Sequence, residues 1–261
     1  MFLNNEQIKR YSRQMILPEF SATEQEKLLS SRVLVLGAGG LGSGVLYYLS
    51  AAGVGHIGVV DFDKVDLSNL HRQIIHFTED INKPKVLSVK EKINKLNPEI
   101  NVITFEEKIN INNIEKIIDD FEIIVDCLDS FNDKFLVNEV CVKKNKKLIH
   151  AGALGFEGQI LTIIPPHSAC LRCYFPDKQP EDLRQSCSEA GILNTCVGVI
   201  SVLQANEVIK LITGIGSVLT NRVLKFNAKD SRFYELEING KNKNCPICSH
   251  VYAHVNNSYH F

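Results

Sequence analysis

An apolar run at 32–36, RVLVL, passes directly into Gly37-Ala38-Gly39-Gly40-Leu41-Gly42, and a second run at 56–60, HIGVV, ends on Asp61. No other feature restricts the fold so strongly. Glycines at these spacings let a chain turn sharply from strand to helix, so that a phosphate can approach the backbone at the positive end of the helix. An acidic residue about twenty positions further on is placed to hold ribose hydroxyls. Gly37, Gly39, Gly40, Gly42 and Asp61 are therefore candidates for a nucleotide site. The alternative is a tight turn with no ligand, and the motif alone does not choose between a redox dinucleotide and ATP.

The rest of the chain keeps the same alternation. Two amphipathic helices are expected at 4–17 and 21–32, the second capped by Ser21 with Glu24 in the capping-box position. Gly53 should end the helix that follows the glycine loop. Asn82 is the expected N-cap of a helix at 83–97, with Pro84 in its first turn. Strands at 100–105, 122–128 and 147–153 alternate with helices at 110–121 and 131–145. This rhythm predicts an α/β fold: a Rossmann-like, mostly parallel sheet with flanking helices. After Gly155 the texture changes to a strand leaving the parallel core, a cysteine-bearing loop, a long helix near 192–214 and a hairpin at 222–238. The expected division is N-terminal helices at 1–30, a nucleotide-binding core at 31–155, and a C-terminal part at 156–261 with an antiparallel extension and a four-cysteine zinc knuckle.

A net charge of −1 gives no electrostatic reason to expect nucleic acid or an anionic membrane as partner. The N-terminus turns polar after Leu3, unlike a signal peptide. The most apolar long segment, 192–212, is interrupted by Asn194, Gln204, Asn206, Glu207 and Lys210, so no membrane span is expected. A cytoplasmic location follows as an expectation. There the eight cysteines serve as ligands, nucleophiles or core residues rather than disulfides.

The residues after Asp61 bear on the choice of nucleotide. FDKVDLSNLHRQ, at 62–73, is a polar and cationic block that a nicotinamide pocket does not need and a triphosphate does. Arg72 offers a planar fork of donors for phosphate oxygens, and Asn69 offers an amide. Lys85 stands at the start of the next helix, within reach of the same crevice. Taken singly, Arg72 and Lys85 also fit solvated surface charges. Asp129, in DCLDS after the fourth strand, is a strand-end carboxylate placed to hold Mg²⁺, whereas Asp126 sits in the strand body and is expected to be structural.

Cys170, Cys173, Cys245 and Cys248 form two Cys-x-x-Cys pairs, the spacing of a closed tetrahedral zinc site; two redox dithiols are the alternative. Cys187 lies in a polar loop, RQSCSEAG, before the long helix. Cys196 is expected in the core, with a resolving role beside Cys187 as the alternative, and Cys127 and Cys141 read as small hydrophobes. His250, His254 and His260 read as solvated.

RYSRQ, GAGGLGS, DFDKVDLSNLHRQ, KPK, DCLDS and the paired Cys-x-x-Cys motifs, in this order, resemble the MoeB/ThiF family, bacterial relatives of the ubiquitin-activating enzymes. The resemblance runs from about Gln7 to Cys248. It implies an ATP-dependent adenylyltransferase acting on the C-terminal glycine carboxylate of a small β-grasp sulfur carrier ending in Gly-Gly. Gly40, Asp61, Asp63, Ser68, Asn69, Leu70, His71, Arg72, Lys85, Asp129 and Ser130 would then line the ATP site, with Asp129 serving Mg²⁺. Arg13 would enter the neighbouring site of a homodimer, Zn²⁺ would be structural, and Cys187 would link to the carrier during sulfur transfer. The family usually has Asn and Arg where this chain has Ser130 and Lys134. The stretch 155–177 is slightly more similar to the thiamine-thiazole branch than to the molybdopterin branch. With no rhodanese-like domain following, sulfur is expected from a separate sulfurtransferase or cysteine desulfurase. The rival expectations are an NAD-dependent oxidoreductase with zinc and an inactive nucleotide-binding subunit.

Overall fold

A computed structural model describes residues 3–176 and 191–249. In chain order its helices are α1 (Asn5–Met15), α2 (Ala22–Ser30), α3 (Gly40–Ala52), α4 (Lys85–Leu96), α5 (Ile114–Ile118), α6 (Phe131–Lys143), α7 (Leu171–Tyr174) and α8 (Asn194–Thr213). The strands are β1 (Arg32–Leu36), β2 (His56–Val60), β3 (Asn101–Phe105), β4 (Ile123–Asp126), β5 (Lys147–Leu154), β6 (Glu157–Ile163), β7 (Arg222–Asn227) and β8 (Arg232–Glu237). They form one sheet in the order β3-β2-β1-β4-β5-β6-β7-β8, parallel from β3 to β5 and antiparallel from β5 to β8.

The strand periodicity explains the layers. Val33 and Val35 of β1 face one core with Leu46 and Leu49 of α3, Val89 and Ile93 of α4, and Ile200 and Val208 of α8. Leu34 and Leu36 face the other core with Ile118, Phe121, Phe135 and Val140. Successive strand residues point to opposite faces, so an unbroken apolar run such as RVLVL needs a helical layer on each side. Helix α8 is long and apolar enough to cross a membrane by length and composition alone, yet it packs against α3, β5 and β6 inside the protein. Its polar interruptions are used there: Gln204 Nε2 donates to the Asp126 carbonyl at 3.0 Å, and Glu207 accepts from Thr162 Oγ1 at 2.6 Å and Leu219 N–H at 2.7 Å.

Local chemistry sets the helix ends. Ser21 and Glu24 make the expected capping box on α2, and Gly53 ends α3 in the left-handed region. Two helices differ from expectation. Asn82 does not cap α4: it has φ 70°, and Pro84 takes the cap position. Backbone bonds from Val65 N–H to Lys83 O and from Asn82 N–H to Val65 O draw this segment against the loop after β2, and Pro84 disfavours a helical residue before it. The helix expected over 110–121 is only α5, because Asn110 and Asn113 accept backbone N–H bonds through their side chains and hold a turn instead. The C-terminal hairpin is β7 and β8, and every residue of β8, the last strand of the sheet, is exposed.

Candidate active site

Strand order reverses between β1 and β4, and the loops leaving their C-terminal ends border one cavity of about 620 Å³. A crevice of this kind is where open α/β sheets take ligands. Gly37 has φ +98°, and a Cβ there would stand 2.8 Å from Cys127 O of the β4 loop. At Gly42 a Cβ would meet Gly37 O at 2.0 Å. Only glycine lets the loop fold this tightly onto the first turn of α3.

Asp61, at the end of β2, accepts the Ala38 N–H through Oδ2 and the Asp63 N–H through Oδ1, both at 2.8 Å. Burial pushes its carboxyl above the usual range against the pull of Lys85 and these two donors. Each oxygen keeps further acceptor capacity, and Asp61 lines the cavity. Lys85, almost wholly buried, opens α4 and bonds Asp63 Oδ2 at 2.9 Å. Arg72 lines the cavity on a turn after β2, with Nη1 on Ser68 O at 3.2 Å and on His71 Nε2 at 2.9 Å. Asp129 is exposed on the cavity wall at the end of the β4 loop. Gly37, Gly39, Gly40, Asp61, Asp63, Arg72, Lys85 and Asp129 thus share one cavity.

Beneath the β4 loop lies a buried network. Lys134 Nζ bonds Asp126 Oδ1 at 3.1 Å and Ala151 O at 2.7 Å, and His150 Nδ1 bonds Asp126 Oδ2 at 2.7 Å. Burial acts to raise the Asp126 carboxyl, but Lys134 and His150 outweigh it and hold the group below the usual range. Burial likewise pushes the His150 imidazole down. Lys134, at the position where the resembled family has Arg, is therefore half of an ion pair with Asp126 while its side chain also lines the cavity.

The other expected residues sit elsewhere. Gly42 packs behind the loop rather than on the cavity. Ser68, Asn69, Leu70 and His71 form the turn before Arg72, outside the cavity lining, where Ser68 Oγ is tied to Asp66 Oδ1 at 2.5 Å. Asn194 Nδ2 holds that turn to α8 through His71 O at 3.0 Å. Ser130 caps α6 by accepting from Asp133 N–H at 3.4 Å. Arg13 is exposed on α1 and does not line the cavity of its own chain. Cys187 lies outside the described residues, as do the tail histidines His250, His254 and His260.

Sequence reasoning missed much of the lining, including a wall from β5, β6, β7 and β8 to which Leu154, Gln159, Asn227 and Tyr234 belong. Gln73 is buried beside the glycine loop with Oε1 lacking a partner, and its signal was adjacency to Arg72 in the same block. Phe62 and the segment Glu107, Lys108 and Ile109 close the far side, with Lys108 Nζ 5.5 Å from the Phe62 ring centroid. Their signal is positional: both follow C-terminal ends of parallel strands.

The four cysteines converge as expected from their spacing. The Sγ atoms of Cys170, Cys173, Cys245 and Cys248 all lie within 4.8 Å of one another, and none is in a disulfide. A tetrahedral zinc with ligand bonds of ~2.3 Å needs sulfurs ~3.8 Å apart. The Cys173–Cys248, Cys170–Cys245 and Cys170–Cys173 separations are 3.2, 3.6 and 4.0 Å and bracket that value, so the donor set fits a closed site once the thiols draw around a metal. Cys127, Cys141 and Cys196 are buried in the core.

The sequence profile described as the ThiF family matches residues 11–247. The adenylyltransferase and sulfurtransferase MOCS3 of Culex quinquefasciatus is 41% identical over 95% of this chain and 56% of its own length. The chain thus spans about half the length of the MOCS3 relatives it matches. The sulfur carrier protein adenylyltransferase of Thermus thermophilus is 38% identical, over 93% of this chain and 91% of its own. The crystal structure of E. coli MccB with ATP superposes with a TM-score of 0.82 at 26% identity, over 92% of this chain and 74% of that one.

Proposed function

The chain belongs to the ThiF family, and from that premise we propose that it is an ATP-dependent adenylyltransferase acting on the C-terminal glycine carboxylate of a small sulfur carrier protein. The observation that carries this reading is the single cavity shared by the glycine loop, Asp61, Arg72, Lys85 and Asp129. The name of the Thermus relative supports the carrier as substrate, and the ATP in the MccB structure supports the nucleotide.

The chemistry needs charge placement rather than a base. The carrier carboxylate is already ionised at neutral pH, and one of its oxygens attacks the α-phosphorus of ATP. The bond from that phosphorus to the bridging oxygen breaks, and pyrophosphate leaves with the electron pair. Negative charge grows on the phosphoryl oxygens and the leaving group, so fixed cations lower the barrier. In this reading the backbone at Gly37–Gly40 cradles phosphate, Asp61 holds the ribose, and Arg72 and Lys85 face the triphosphate. Asp63 keeps Lys85 in place until phosphate competes for it. The oxygen donors at the cavity wall suit Mg²⁺, which Asp129 would hold and which neutralises phosphate charge when bound. Arg13 would act on the cavity of a second copy, Cys187 would serve later sulfur transfer, and the four cysteines would hold a structural Zn²⁺. Of the two pathways weighed from the sequence, the MOCS3 names favour molybdopterin over thiamine-thiazole biosynthesis.

The test is ATP–pyrophosphate exchange in the presence of carrier proteins ending in Gly-Gly. Exchange should require the carrier and be lost in Arg72→Ala and Asp129→Ala, while Cys187→Ala keeps it. Wild-type protein that supports no exchange with any such carrier would sink the proposal.

A further inference from the structure

His76 is almost wholly buried and is absorbed neither by the cavity lining nor by the expected site. It lies on the turn that carries Arg72, one backbone bond on from Gln73. Its Nε2 stands 2.9 Å from the carbonyl oxygen of Ala38, inside the glycine loop, and its Nδ1 stands 2.9 Å from Ser88 Oγ on α4. A carbonyl only accepts, so Nε2 carries the proton and donates to Ala38. Burial pushes the imidazole below its usual range, and the Ser88 hydroxyl beside Nδ1 is also a partner of the Asp80 carboxylate.

Both backbone polar groups of Ala38, one in each peptide unit flanking its Cα, are therefore held. Its N–H is bound by Asp61 at 2.8 Å and its oxygen by His76 at 2.9 Å. The same turn also lies close to the neighbouring glycines. Gln73 Nε2 lies 3.7 Å from where a Cβ of Gly39 would stand, and Arg72 Cγ lies 3.6 Å from that of Gly40. Ser88 sits one turn along α4 from Lys85, so His76 joins the loop to the helix that carries the buried ammonium. The groups facing His76 are Lys85, Asp80 and Lys92, and the latter two form a buried ion pair at 2.6 Å.

We propose that His76 is a positioning residue for the nucleotide: through the Ala38 carbonyl and Ser88 it sets the glycine loop and Lys85 at a fixed spacing before ATP arrives. A loop already held in its binding geometry loses less freedom on binding, and this appears as affinity. The inference rests on the adenylyltransferase reading only in that the cavity takes ATP.

Two variants separate positioning from packing. His76→Gln places an amide N–H where Nε2 stands and can still donate to Ala38. His76→Asn reaches only as far as Nδ1 and leaves the Ala38 carbonyl without its donor. ATP affinity is measured by calorimetric titration, alongside thermal melting and the KM for ATP in exchange. His76→Asn should weaken ATP binding on the order of tenfold, the worth of one buried hydrogen bond, and raise KM more than it lowers kcat. His76→Gln should recover most of the affinity even where its melting temperature matches that of the Asn variant. Equal affinity in wild type and His76→Asn overturns the inference. So does an equal loss in both variants, which would mark His76 as packing alone. Wild-type protein that binds no ATP overturns the nucleotide reading, and this inference with it.

Discussion

Lys134 shows how a buried positive charge is held in this fold. Its ammonium and the Asp126 carboxylate are both buried, and each is tolerable only because the other is there. Lys134→Met should cost roughly 3–5 kcal/mol in denaturant unfolding, because the stranded carboxylate keeps its desolvation penalty. A loss below about 1 kcal/mol would show that the pair contributes no more than a surface one. The positive charge at Lys134 was legible in the sequence. Its buried surroundings were not: His150 lies 24 positions from Asp126, and only the parallel pairing of β4 with β5 brings them level. The same limit hid Gln73 and His76, which look like ordinary loop residues until the glycine loop is folded against them.

At the scale of elements, apolar periodicity and glycines placed the strands well, because a strand buried on both faces has few other ways to read. Helix starts were less legible. The Asn82 side chain had the right chemistry for a cap, but strand-like pairing of its segment with the loop after β2 decided its backbone. The cysteine pairs were legible as pairs, and the fold shows what they join: the short helix α7 and the chain beyond β8. Metal analysis should find about one zinc per chain, as a four-thiolate site demands. A strong chelator should lower the melting temperature, and adding zinc back should restore it. A chain that carries no zinc and melts unchanged with chelator would leave the four thiols as redox pairs.

For the whole molecule, two buried histidines set a response to acid. Burial holds both His76 and His150 below the usual range, so the folded protein resists protonation that the unfolded chain accepts below about pH 6.5. Where the unfolded state binds more protons, stability falls as pH falls. Asp126 and Asp80 act lower down. Burial alone would raise each, but the lysines beside them bring the net shift below the usual range. Their stabilisation is complete above about pH 3.9 and is lost as pH drops through their folded values. The melting temperature should therefore hold near neutral pH, decline from about pH 6.5 and decline again below about pH 4. Replacing both histidines with Gln should remove the first decline; its persistence would place the acid response elsewhere.

The exposed last strand, β8, carries one more consequence. Its sequence, Arg232-Phe-Tyr-Glu-Leu-Glu237, intersperses three charges with three large side chains along the final strand of an eight-stranded sheet. A strand in that place is a template for another chain unless something repels it. Arg232, Glu235 and Glu237 stand where such gatekeepers belong, and Glu235 is steadied by Arg222 at 3.0 Å. Exchanging the three for Thr should leave melting nearly unchanged but convert concentrated protein into thioflavin-positive aggregates. Restraint of this kind would sit at the opposite end of the sheet from β3, in three charges that do not line the cavity.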